Sequence, residues 1–184
     1  MKLIVFSGSA RPERQSHQVA EEVKSRLEQK GHSVTMLDVR ELNFPLLENT
    51  FEKTAEPWEK LKATSQVISE SEGIVVVSPE HNGSYSGALK NTMDYYFNEY
   101  AYKPFGIVGV SSGMLGGVKA TDKLQQYALT LKGIVLPNVM ITPKVQTLFK
   151  DGKLIDSGYG ERLDKFLAEF LELAQLISKR QKPD

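Results

Sequence analysis

The sequence predicts a doubly wound α/β fold, a five-stranded parallel sheet in the order 2-1-3-4-5 with helices on both faces. Three observations predict it. Short β-branched runs without polar alternation recur along the chain, as strands buried on both faces require. Segments of helical spacing separate them, so strands and helices alternate strictly. No repeat, low-complexity tract or linker divides the 184 residues, which are expected to form one domain, 1–184.

The elements follow in order. "LIVF" (Leu3 to Phe6) is the first strand, and Val19, Val23 and Leu27 then recur at four-residue intervals up to Gly31, a natural helix C-cap. "SVTMLDV" (Ser33 to Val39) alternates in part, which suits an edge strand. A second helix opens at Pro57, with Trp58, Leu61, Ser65 and Ile68 on one side, and leads into the strand "GIVVVS" (Gly73 to Ser78). The third helix is expected to start near Ser86 or Gly87, with Leu89, Met93 and Tyr96 or Phe97 as its apolar side. "FGIVGVS" (Phe105 to Ser111) and "IVLPNVMI" (Ile134 to Ile141) are the last two strands, with a glycine-rich helix start between them. Leu163, Phe166, Leu167, Phe170, Leu171 and Ala174 make the stripe of the final helix. Right-handed crossovers leave few topologies for this order, and they put a ligand site at the carboxyl ends of the strands, at the switch between the first and third.

Composition narrows the functions. The chain is 40% hydrophobic and 25% charged with a formal net charge of zero, which gives no support to a general polyanion-binding role; no nucleic-acid partner is expected. There is no cysteine, so disulfides, thiolate metal sites and cysteine nucleophiles are all excluded. No segment approaches the ~20 apolar residues of a membrane span, and the opening "MKLIVFSGS" reads as a strand rather than a leader, so a cytoplasmic location is expected.

Three loops then fall at the carboxyl edge. The first, "FSGSARPERQSHQVA", sets Ser7, Gly8, Ser9 and Arg11 before a helix expected to begin near Ser16. Backbone N–H groups, a helix N-terminus and a guanidinium fork suit a phosphate, while Ser16 also reads as a plain N-cap; the residues alone leave both open. The spacing matches neither GxxxxGK[ST] nor GxGxxG. The second, "SPEHNGSYSGALKN" (Ser78 to Asn91), is dense in turn residues that expose backbone donors and acceptors to a flat ligand. Its Glu80 and His81 lack a metal partner at ligand spacing. The third, "VSSGMLGGVKA" (Val110 to Ala120), carries Gly113, Gly116 and Gly117, which permit close backbone approach.

Taken together, "GSAR" followed by Ser16, "PEHNGSYSGALKNTMDYY", and "SSGMLGG" followed by "KA" closely resemble the NADPH-dependent FMN reductase family, which includes azoreductases, quinone reductases and chromate reductases. The likeness extends to "KPFGIVGVS" and "GIVLPNV", nearly the whole chain. It implies a flavodoxin-like fold that binds FMN. By position it puts Ser9, Arg11 and Ser16 on the phosphate, with His17 and Gln18 beside them, Gln18 standing where relatives commonly have asparagine. Pro79, Glu80, His81, Asn82, Gly83 and Ser84 would wrap the isoalloxazine ring, and Ser112 and Gly113 would approach its other side. His81 replaces the usual tyrosine of this motif, Ser86 the usual proline, and Lys119 a common arginine. Of the two loop arginines, Arg11 rather than Arg14 is assigned to the phosphate, on its place in the motif.

The resemblance further implies hydride transfer from NADPH or NADH to FMN and then electron transfer to a small acceptor: a quinone, an azo compound, a free flavin or a metal oxyanion. No side chain is assigned to catalysis and no metal is expected, because the flavin carries the chemistry. The alternative is a flavodoxin-type FMN carrier that oxidises no nicotinamide, against which the balanced charge argues. Members of the family usually form dimers or dimer pairs, and the aromatic surplus in "TMDYYFNEYAY" (Thr92 to Tyr102) fits such an interface.

Overall fold

The apolar runs pair into one sheet in the computed structural model, which describes residues 1–181. The parallel strands β1 (Lys2–Ser7), β2 (Ser33–Asp38), β3 (Gly73–Pro79), β4 (Pro104–Val110) and β5 (Ile134–Val135) lie in the order β2-β1-β3-β4-β5. A sixth strand, β6 (Met140–Thr142), also pairs with β4 in parallel. This is the flavodoxin-like order 2-1-3-4-5.

Successive residues of each strand serve opposite faces. Leu3, Val5, Val75, Val77, Val108 and Val110 pack into one core with Val19, Val23 and Leu27 of α1 (Gln15–Gln29) and Leu163, Phe166, Leu167 and Phe170 of α6 (Ser157–Gln181). Their neighbours Ile4, Phe6, Ile74, Val76, Phe105 and Ile107 enter a second core. The second core is closed by α3 (Glu59–Glu70), α4 (Gly87–Asp94) and α5 (Val118–Thr130). Residues with an apolar layer on either side cannot alternate in polarity, which is why these strands read as continuous runs. Among the described residues no helix is long and apolar enough to cross a membrane.

Three features depart from the sequence expectation. The run Ile134 to Ile141 is not one strand: Pro104 faces Ile134 whereas Val108 faces Met140, so two extra residues bulge out between β5 and β6. Pro137 lies within that bulge, lacking the N–H a ladder needs, and an insertion of two keeps the side-chain alternation of β6 intact. Second, Val39 leaves the strand and opens a single turn, α2 (Val39–Leu42), capped by Asp38, whose carboxylate accepts from the Arg40 amide at 2.9 Å. Third, Thr92 to Tyr102 spends its rings on the core, since Tyr95, Tyr96 and Tyr100 are each no more than 3% exposed, while Phe97 and Tyr102 face solvent. Tyr95, Tyr96 and Tyr100 therefore cover the sheet within the chain, and Phe97 and Tyr102 remain at the surface. A small hairpin, β7 (Phe149–Lys150) with β8 (Lys153–Leu154), precedes α6.

Candidate FMN site

The carboxyl ends of β1, β3 and β4 surround a cleft of about 470 Å³, lined by the loop after β1, by Pro79, Glu80 and His81 after β3, and by Ser111 and Ser112 after β4. Each wall has a local reason for its shape.

Gly8 lets the first loop leave β1 against β3. Its amide donates to the Val77 carbonyl at 2.8 Å, and a Cβ there would lie 2.8 Å from the same oxygen. The loop then runs to Arg14, the N-cap of α1, which offers no capping side chain. Ser16 is the second residue of the helix rather than its cap, it is 4% exposed, and its hydroxyl has no partner among the described residues. The first-turn amides of α1 thus point to the cleft without a side-chain acceptor, where the helix dipole adds partial positive charge.

The two arginines of this loop differ. Arg14 grips Asp38 through both terminal nitrogens, and its Nη1 also donates to the Ser9 carbonyl at 2.8 Å. Arg11 is exposed on the cleft and its guanidinium has no partner among the described residues; its amide donates to Ser9 Oγ at 3.4 Å. Ser9 lines the cleft as well. His17 and Gln18 do not: His17 Nδ1 shares a 3.0 Å hydrogen bond with Ser7 Oγ and faces Asp38, and Gln18 donates to Gln15 Oε1 at 2.8 Å.

The second wall is a two-residue hairpin turn. His81 and Ser84 exchange backbone hydrogen bonds of 2.8 and 3.1 Å around Asn82 and Gly83, which have φ of 50° and 79°. Asn-Gly tolerates two positive φ angles better than other pairs, and this turn holds His81 over the cleft. Of the loop amides, those of Asn82 and Gly83 have no partner among the described residues, while Glu80 N donates to the Val110 carbonyl at 3.0 Å. The Glu80 carboxylate accepts from the Lys119 amide at 3.2 Å, in the first turn of α5, where a negative charge suits the helix dipole. The His81 ring makes no hydrogen bond among the described residues, and burial followed by the Arg11 charge lowers its pKa from 6.5. A neutral imidazole thus faces the cleft at neutral pH.

The glycines of the third loop serve the fold. Gly117, at φ 88°, presses on β4, where a Cβ would come within 2.5 Å of the Val110 amide, and Gly116, at φ 63°, packs on Pro143 and accepts from the Thr142 amide at 2.9 Å. Gly113 does not line the cleft itself but adjoins Ser112, which does; a Cβ there would meet only Ser111 Oγ at 3.5 Å, and its amide donates to that same oxygen at 3.0 Å. Val145, on the segment after β6, completes the floor; its amide donates to the Ser111 carbonyl at 3.2 Å. Three loops of the sheet edge were legible in the sequence and this fourth contributor was not. An apolar residue after a proline carries no binding signature of its own.

These residues fit FMN. An uncapped helix N-terminus, two serines and an unpaired guanidinium offer donors to a phosphate at one end. A hairpin and a serine-glycine turn flank the rest, in a cavity of the size small-molecule sites usually have.

Comparison with known proteins points the same way. The model of the family described as NADPH-dependent FMN reductase matches residues 1–147. The NAD(P)H-dependent FMN reductase LOT6 of Saccharomyces cerevisiae is 28% identical over 188 residues, covering 94% of this chain and 97% of that protein. The NADPH azoreductase of Bacillus sp. strain OY1-2 is 26% identical, covering 84% of this chain and 82% of that one. A quinone reductase of Pseudomonas putida is 30% identical, covering 83% of each chain. Among solved structures, the flavoenzyme FerB of Paracoccus denitrificans superposes with a TM-score of 0.79 at 22% identity, covering 97% of both chains. A flavodoxin from Pseudomonas aeruginosa superposes at 0.62 and 15%, covering 92% of this chain and 99% of the other, and these two likenesses speak to the fold. With its family model matched over most of its length and its strands in flavodoxin order, the chain belongs to the NADPH-dependent FMN reductase family.

Proposed function

We propose that residues 1–184 form one FMN-binding domain that oxidises NADPH or NADH and reduces a small acceptor, a quinone, an azo compound, a free flavin or a metal oxyanion, in the cytoplasm. The observation that carries it is the uncapped N-terminus of α1 beside the unpaired Arg11. FMN held at this site would supply the hydride and electron chemistry that links the nicotinamide to the acceptor. The chain's own residues then have positional work. Ser9, Arg11, Ser16 and the first-turn amides of α1 hold the phosphate. Pro79, Glu80 and His81 would hold the ring on one side, with the free amides of Asn82 and Gly83 and the backbone of Ser84 in the adjoining turn, and Ser112, next to Gly113, would hold it on the other. Hydrogen-bond donors at the ring stabilise negative charge that develops on reduction. His17 and Gln18, turned from the cleft, support α1 instead.

Azo- and quinone-reducing relatives support acceptors of those classes for this chain. Dimers or dimer pairs are part of the same proposal, with Phe97 and Tyr102 as the rings left for an interface; a monomer mass in solution at micromolar concentration would refute association. The test of the reaction is anaerobic mixing of the FMN-loaded protein with NADPH and, separately, NADH. Bleaching of the visible flavin band by either supports the reductase. A band that persists with both leaves the FMN carrier as the reading.

A further inference from the structure

The loop that bears Ser9 and Arg11 belongs to neither strand nor helix, so something outside it must set its shape. Backbone bonding contributes little beyond Gly8 N to Val77 O. Two carbonyls of the loop are instead held by arginine side chains. Arg14 Nη1 donates to Ser9 O at 2.8 Å, and Arg40 Nη1 donates to Pro12 O at 3.1 Å. Both arginines converge on Asp38 at the end of β2: its two oxygens receive the Arg14 fork, and Oδ1 also accepts the Arg40 amide at 2.9 Å. The Arg14 and Asp38 side chains are each 9% exposed.

Such a fork fixes orientation as well as charge, since planar guanidinium and carboxylate match at two points. Burial makes the pair mutually dependent: either partner left alone is a desolvated charge. Arg14 borders the cleft, yet its charge is balanced by Asp38 and three of its N–H contacts are occupied. The cationic charge offered to a ligand in this loop is therefore that of Arg11. Arg14 holds the backbone carbonyl of Ser9, two residues before Arg11.

We propose that Arg14 and Asp38 are a positioning pair for the phosphate loop, and that this pair sets the preference for a phosphorylated flavin over an unphosphorylated one. The inference rests on the FMN reading above.

The test is equilibrium binding of FMN and of riboflavin by flavin fluorescence, for the wild type, for Arg14→Lys, and for the double variant Arg14→Met with Asp38→Leu. Lysine keeps the charge and loses the fork. The double variant leaves no buried charge unpaired, which keeps it folded where a single substitution fails, and circular dichroism monitors folding throughout. The expected result is FMN affinity weaker by about tenfold or more, in line with the loss of an outer partner that orients a ligand-binding group, with riboflavin affinity unchanged. A folded double variant that binds FMN as the wild type does, or that loses both flavins equally, overturns the pair's positioning role. A wild-type protein that binds FMN no better than riboflavin instead overturns the phosphate site itself, so the two failures are distinguishable.

Discussion

Ser86 donates its hydroxyl proton to the carbonyl oxygen of Gly8, and one side chain thereby ties the loop after β1 to the start of α4. The same hydroxyl accepts from the Leu89 amide at 3.1 Å, as an N-cap does. Ser86→Ala removes both bonds at a buried position, and a loss of about 1–2 kcal/mol is expected. The family's proline at this place is accommodated by φ of −68° and ψ of 144° at Ser86. Ser86→Pro is therefore expected to cost less than Ser86→Ala, because proline stiffens the unfolded chain by about 0.4–1 kcal/mol. Urea denaturation of the three proteins gives the order directly.

Two glycines of the third loop should behave in opposite ways. Gly117 has φ of 88° and room for no Cβ, whereas Gly113 meets only Ser111 Oγ at 3.5 Å. Gly117→Ala is expected to be strongly destabilising, through backbone strain together with overpacking against β4. Gly113→Ala should stay within about 0.5 kcal/mol of the wild type. Thermal unfolding of both variants distinguishes a loop shaped by the sheet from one that is merely glycine-rich.

His81 and His32 give the chain a defined response to acid. Burial lowers both pKa values from 6.5, assisted by Arg11 at His81 and by the chain's amino terminus at His32. Between the lowered folded value and 6.5 the unfolded chain binds more protons, so stability rises with pH across that window. It is fully present above 6.5 and is lost as pH falls through the folded values. Imidazole proton resonances followed against pH should show both midpoints below 6.5. Arg11→Met should move the His81 midpoint upward and leave that of His32 in place.

Tyr100 is fully buried, and its hydroxyl has no hydrogen-bond partner among the described residues. A buried unsatisfied donor costs about 1–3 kcal/mol, so removal of the hydroxyl should help the fold. Tyr100→Phe is expected to raise the midpoint of thermal unfolding. A lower midpoint would mean that the hydroxyl is satisfied.

The sheet was legible because burial on both faces removes polar alternation from β1, β3 and β4, and the helix starts at Ser86 and Trp58 were close to where turn and cap residues put them. The break at Pro137 carried a visible signal, a proline inside an apparent strand, but the register shift that repairs it depends on β4. At the site, glycine, serines and arginine marked the first loop as one to inspect, and the structure brings Ser9, Arg11 and Ser16 to the cleft. That Arg14 is paired was not legible, because its partner, Asp38, lies 24 residues away and is brought close by the pairing of β1 with β2. Ser16 looked equally like a cap and a ligand until the helix was found to begin at Gln15. Among the rings of Thr92 to Tyr102, composition could not tell the buried Tyr95, Tyr96 and Tyr100 from the exposed Phe97 and Tyr102.

The most direct test of the central claim is the absorption spectrum of the protein peak from gel filtration after incubation with FMN. The expected result is a flavin spectrum that travels with the protein at one FMN per chain and is lost from Arg11→Met. A peak that elutes without flavin contradicts it.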